Sequence, residues 1–310
     1  AARRAAAARD DLALVVEGAG DRVTWLDGND RGVALSSSPV DVAPILRERL
    51  FATLPCSIFT SATLATGAAT GSGPFAFVRR RLGADGDATA VEELRVPSPF
   101  DYATRALLYV PRDLPPPADP GFHAAAAARA IALTRASDGG AFLLTTSVRS
   151  LRQFGRLLRA ELGASRVLVQ GESAKSALLA RFRAAGDLVL VATASFWQGV
   201  DVPGDALRLV MLEKLPFPVP TEPLIAARAR AVEEAGGRAF TELFVPLAKI
   251  ALQQGFGRLI RTRDDRGVVA LLDERVHRRG YGRDLLAALP PARVTADLAE
   301  VERFLAARGT

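Results

Sequence analysis

The chain has 310 residues, 49% of them hydrophobic, enough to bury the core of one large domain or two medium ones. Its formal charge of +6 admits a polyanionic partner without demanding one; only three of its 40 basic residues are lysines (Lys175, Lys214, Lys249), so the Arg- and Ala-rich composition reads as GC-rich coding. A single cysteine, Cys56, excludes a disulfide framework or a cysteine-built metal cluster within the chain and suggests a reducing cytoplasm, while His123 and His277 are too far apart for a zinc pattern.

The start, Ala1-Ala2-Arg3-Arg4, lacks an initiator Met and a signal-peptide core, and reads as a cut inside a longer protein. No apolar stretch reaches the roughly 18 residues of a membrane span, so no membrane partner is expected. Residues 12–35 alternate short apolar runs with Gly, Asp and Asn turns, which predicts an antiparallel meander beginning at Leu12–Val16. Pro39 to Leu50 has helical period, Ser57–Thr60 reads as a short strand, and a short helix is expected around Phe75–Leu82.

From Tyr102 the rhythm changes. Short continuous apolar runs at 107–110, 141–145, 167–169, 188–192, 207–212 and 268–272 are separated by amphipathic segments at 123–137, 148–162, 174–185 and 223–260. Strands buried on both faces and alternating with helices predict an α/β domain with a parallel sheet. A boundary is expected near residue 100, with 1–100 and 101–310 as the two parts.

The segment Gln254-Gly255-Phe256-Gly257-Arg258-Leu259-Ile260-Arg261 closes the last long helical run. Continued as a helix, it would place Arg258 and Arg261 on one face with Gln254 a turn earlier. Two guanidiniums aimed at one spot suit a polyphosphate, whose oxygens they pair bidentately. The plainer alternative is a surface helix end whose arginines complement the macrodipole. Two other strands run into small polar residues, Thr145-Thr146-Ser147-Val148-Arg149 and Thr193-Ala194-Ser195-Phe196-Trp197, where hydroxyls and helix-start N–H groups suit phosphates. There the alternatives are simple N-capping by Ser147 or Ser195, and burial of one member of the aromatic pair under the sheet.

Three near-motifs fail. Gly171 to Ser176 has the Lys-Ser of a phosphate loop without the preceding Gly; Asp273 to His277 sets its His one residue too late for a DEAH box; and Gly255-Phe256-Gly257 follows no strand. The chain alone therefore holds no site for ATP phosphates and magnesium, and by itself is expected to be inactive.

In order, the motifs resemble the carboxy-terminal half of a superfamily 2 DNA helicase of the DinG/XPD type. Thr60-Ser61-Ala62-Thr63-Leu64 resembles motif III, Leu143 to Leu151 motif IV, and Ser195 to Gly204 motif V. Lys214-Leu215-Pro216-Phe217 is similar to the family's proline-rich turn, and Gln254 to Arg261 fits Q-x-x-G-R-x-x-R at every specified position. Gln198 departs from the Glu that many relatives carry. The resemblance implies a RecA-like fold for 101–310, preceded by the end of an arch insertion and of the first motor domain. It implies that Arg258 and Arg261 act as arginine fingers with Gln254 reading nucleotide state, and that Gly199 and Asp201 face the nucleotide. Ser147, Arg149, Thr193, Ser195 and Phe196 would line the single-stranded DNA track, and Ser61 and Thr63 would couple ATP state to DNA. ATP and Mg2+ would be held mainly by an upstream motor domain of the same protein, as would any iron–sulfur cluster. The activity implied is ATP-dependent 5′-3′ unwinding in repair or replication by a monomer in the cytoplasm. A RecA-like module that binds nucleic acid or a partner without motor activity is the competing expectation.

Overall fold

The computed structural model describes residues 2–17, 20–29, 32–66, 73–86, 90–193, 196, 200, 202 and 204–307. Two compact units emerge, one formed by 1–94 with 217–247 and the other by 95–216 with 248–310. A single boundary near residue 100 therefore misses that residues 217–247 belong with the amino-terminal unit.

The smaller unit opens with helix α1 (Ala2–Glu17), followed by a hairpin of β1 (Arg22–Asn29) and β2 (Gly32–Pro39) paired from Arg22–Pro39 to Asn29–Gly32. The strand expected at Leu12–Val16 is thus helical. The Ala-rich stretch before it has the highest helix propensity and carries the helix through Leu12 and Val16, whose side chains stay exposed. Helix α2 (Ala43–Leu46) runs into a π-helical turn at Arg47–Phe51, and α3 (Ala76–Leu82) ends at Gly83 in the left-handed region, φ 76°. A Cβ at Gly83 would lie 2.7 Å from the Ala43 carbonyl oxygen, so glycine there permits both the helix cap and its close approach to α2. Ser57–Thr60, expected as a strand, joins neither sheet: its apolar Ile58 and Phe59 are exposed and no described segment pairs with it.

The larger unit opens with the short helix α4 (Tyr102–Arg105) and is built on seven parallel strands: β3 (Ala106–Tyr109), β4 (Ala141–Thr145), β5 (Val167–Val169), β6 (Val189–Thr193), β7 (Leu209–Leu212), β8 (Gly267–Leu271) and β9 (Arg293–Thr295). Their order is β5-β6-β4-β7-β8-β3-β9. Four of the five inner strands, β4, β7, β8 and β3, are buried along their whole length, which explains their unbroken apolar runs. Residues on one face, among them Leu107, Leu143, Val191, Met211 and Val268, form the main core with α5 (Phe122–Ala136), α6 (Val148–Leu162) and the last helix, at Leu298–Ala306. On the other face Phe142 meets Phe182 of α7 (Lys175–Ala185), ring centres 4.7 Å apart.

The helical run expected over 223–260 is broken into α8 (Pro223–Glu234), a π-helical turn at Phe240–Phe244 and α9 (Val245–Phe256). Gly236, at φ 81°, takes the chain out of α8. Strand β9 and the helices α10 (Arg275–Arg278), α11 (Gly280–Ala287) and α12 (Leu298–Ala306) extend the sheet beyond the elements expected from sequence.

Candidate functional site

The connections leaving β4 and β7 run in opposite directions along the sheet, β4 toward β5 and β7 toward β8, so a crevice opens between their carboxyl ends. The polar residues of the larger unit gather in two places, one at this crevice and one on the sheet face below α9.

The second place carries the arginines. Helix α9 stops at Phe256, and the chain then makes tight turns in which Arg258 N–H donates to Gly255 O (3.2 Å) and Leu259 N–H to Phe256 O (3.1 Å). Arg258 and Arg261 are therefore not successive positions of one helix, as the spacing suggested. Two glycines weaken the helix by about 1 kcal/mol each relative to alanine. A buried carboxylate then captures the chain: Asp265 Oδ2 accepts the N–H groups of Arg261 (2.6 Å) and Thr262 (2.7 Å), and Oδ1 accepts from Gly204 N–H (3.2 Å). Arg258 Nη1 donates to Val200 O (2.8 Å), and its stem lines a small apolar pocket with Phe142, Leu144, Leu190, Ala192 and Phe196. Both arginines are half-buried, whereas Gln254, on the last turn of α9, is exposed. The Arg258 guanidinium is thus tied to Val200, and the Arg261 backbone N–H and Gly204 share Asp265. Gly199 and Asp201, expected beside them, lie outside the described residues, as do Ser195, Trp197 and Gln198.

At the crevice, Ser147 caps α6 by accepting Ser150 N–H (3.1 Å), and Thr146, Ser147, Val148 and Arg149 are all exposed. Beneath them lies Glu213, the first residue after β7 and fully buried. Its Oε2 accepts Thr146 N–H (3.0 Å), and its Oε1 lies 3.1 Å from Lys214 Nζ and 3.5 Å from His123 Nε2. His123 Nε2 also meets Ser150 Oγ (3.2 Å), which meets Ser147 Oγ (3.1 Å). Burial holds the His123 pKa below its ordinary value; Glu213 opposes this, and Lys214 and Arg149 add to it. Burial thus favours the uncharged imidazole beside Glu213. Because a single ring nitrogen faces both Glu213 and Ser150, the group has no relay geometry for nucleophilic catalysis.

Thr193, at the end of β6, donates through its N–H (2.7 Å) and hydroxyl (3.0 Å) to Gln170 Oε1 beyond β5. Phe196 is buried, with Lys175 Nζ 5.1 Å from its ring centre, so of the aromatic pair this member packs inward rather than standing free for base stacking. In the smaller unit Ser61 Oγ accepts Thr63 N–H (3.2 Å) and lies 3.3 Å from Thr63 Oγ1, forming a self-contained hydroxyl turn. Asp265, Glu213 and His123 were not singled out from sequence, since each is a lone polar residue whose partner is 50 or more positions away or across a turn. Among the described residues no group of three or more His, Cys, Asp or Glu side chains could hold a metal ion, and no helix is long and apolar enough to cross a membrane.

A family model described as a helicase C-terminal domain matches residues 130–292. The chain is 44% identical over 283 residues to the ATP-dependent DNA helicase YoaA of Escherichia coli K12, covering 91% of this chain and 43% of that protein. It is 38% identical to the ATP-dependent helicase DinG of Mycobacterium tuberculosis H37Rv (91% and 42% covered) and 31% identical to the 3′-5′ exonuclease DinG of Bacillus subtilis 168 (92% and 31%). The chain thus spans less than half the length of these relatives. A solved structure titled XPD_Helicase superposes on 92% of the chain and 49% of its own length with a TM-score of 0.62 at 15% identity, a likeness of fold. The seven-stranded parallel sheet flanked by helices is RecA-like.

Proposed function

The chain belongs to the helicase C-terminal domain family, the DinG/XPD type of superfamily 2, and from that premise we propose that it supplies the second motor lobe of an ATP-dependent DNA helicase. In this reading ATP binds with magnesium on an upstream motor domain, and Arg258 and Arg261 reach its γ-phosphate. The observation that carries the reading is the pair of ties to one segment, Arg258 to the Val200 carbonyl and Arg261 through Asp265 to Gly204. The cationic guanidiniums fit a polyphosphate, and no carboxylate cluster suited to magnesium accompanies them among the described residues. ATP supplies the phosphoryl-transfer free energy. The chain's part is to place two cations and, through the 200–204 segment and the loop after β6, to link their position to the nucleic-acid track. That track is formed by Ser147, Arg149, Thr193 and the loop holding Ser195, with Gly199 and Asp201 on the nucleotide side. Movement along single-stranded DNA runs 5′ to 3′, in repair or replication.

The test is the double variant Arg258→Ala, Arg261→Ala in the full-length protein. DNA-stimulated ATP hydrolysis should fall about 10³-fold, the scale of an arginine finger, while single-stranded DNA binding without nucleotide stays within about twofold by fluorescence anisotropy. Undiminished hydrolysis would remove the arginine-finger role.

A further inference from the structure

The buried carboxylate of Glu213 is an expensive group to keep under a surface turn. Ser147 caps α6 unaided, since it already accepts Ser150 N–H, and a lone cap needs no charge beneath it. Taking a carboxylate out of water costs several kcal/mol, and an apolar residue of similar volume is often no less stable. Glu213 is nonetheless fully buried. Oε2 takes Thr146 N–H directly. Oε1 pairs with Lys214 Nζ at 3.1 Å and lies 3.5 Å from His123 Nε2, which also meets Ser150, itself in contact with Ser147. Thr145 adds a hydroxyl contact to Ser147 O at 3.3 Å, and Glu213 N–H donates to Leu144 O at 3.0 Å. Every one of these contacts lies behind the turn, while Thr146, Ser147, Val148 and Arg149 face solvent.

We propose that Glu213 is a positioning residue that holds the Thr146–Arg149 turn, through Thr146 N–H, in the conformation that grips the phosphates of single-stranded DNA. The inference rests on the reading of Ser147 and Arg149 as part of the DNA track. Glu213 touches no nucleic acid itself; it acts through the backbone of the turn. The neighbouring loop is fixed by the same device: Asp273, just past β8 and fully buried, accepts Leu215 N–H (2.9 Å) and pairs with Arg275 through Nε (2.9 Å) and Nη2 (2.6 Å). The β4 and β7 loops are each tied by a carboxylate from the end of the adjoining strand, so the spacing between them is set by side-chain reach.

The experiment measures, in the full-length protein, the oligo-dT concentration that half-saturates ATP hydrolysis, the turnover at saturating DNA and the melting temperature. The variants are Glu213→Gln, Glu213→Asp and Glu213→Ala, with Arg149→Ala as control. Gln keeps the reach to Thr146 without the charge and should stay within about twofold of the native half-saturation; Asp keeps the charge but draws back, and with Ala should raise it about tenfold, the worth of one hydrogen bond. Turnover at saturating DNA should change by less than about threefold in the Glu213 variants, because binding and not the chemical step is affected. Should Ala fail to fold, the Asp–Gln contrast carries the result. Native half-saturation in Asp, or rescue by Asp but not Gln, would overturn the proposal. Arg149→Ala separates the two levels: if it too leaves half-saturation unchanged, the track reading itself fails, whereas a weakened Arg149→Ala beside unaffected Glu213 variants defeats the positioning role alone.

Discussion

Arg208, one residue before β7, donates to four backbone carbonyls: Ser137 (2.9 Å), Asp205 (2.8 Å), Asp138 (2.6 Å) and Gly186 (2.9 Å). Those acceptors come from the turns that end α5 and α7 and from the turn before β7, so one planar fork gathers three connections at the amino ends of β4, β6 and β7. The approach is close enough to dictate composition nearby: Gly139 has φ 73°, and a Cβ there would sit 1.8 Å from the Asp187 carbonyl oxygen. Arg208→Ala should destabilise the larger unit by about 3 kcal/mol, since several carbonyls lose a charged donor at once. Arg208→Lys should recover less than half of that, because an ammonium cannot span the fork's geometry. Urea unfolding followed by circular dichroism checks both, and native stability in Arg208→Lys would show that charge, not the fork, matters.

At the level of elements, the turn after α9 is the decisive one. Asp265 fixes it by accepting from Arg261, Thr262 and Gly204, so Asp265→Ala should free the arginine turn and lower the turnover of DNA-stimulated ATP hydrolysis about 10- to 100-fold, the penalty of a misplaced reacting group. Turnover retained despite a lower melting temperature would reduce Asp265 to a purely structural role. The same region shows what could be read from the chain and what could not. The inner strands announced themselves because a strand buried on both faces leaves an unbroken apolar run, as at Ala141–Thr145 and Gly267–Leu271. The three-residue strand Arg293–Thr295 gave no such run, because its first two positions are exposed. The eight residues ending at Arg261 were conspicuous by composition, yet their shape was not: a carboxylate four positions beyond Arg261 and a carbonyl 58 positions before Arg258 decide it. Leu12–Val16 misled because alternation is a weak signal beside a long alanine run already committed to a helix. Glu213 and His123 met across two strands and a helix, a proximity that only the sheet order creates.

For the molecule as a whole, the cations of the larger unit near the carboxyl ends of β4, β5 and β7 include Arg149, Lys175 and Lys214. If these neutralise about three phosphates, single-stranded DNA affinity should fall roughly 20-fold between 50 and 200 mM salt. A flat salt response measured by anisotropy would point to recognition without backbone contacts. The outer strands of this sheet, Val167–Val169 and Arg293–Thr295, are only three residues long, whereas most of the inner ones run to four or five. Three residues offer too few unsatisfied backbone groups to template another chain. The tapering margins therefore make lateral growth unrewarding, and guard a wide parallel sheet against fibrous self-association during the interval before its long-range pairings are complete.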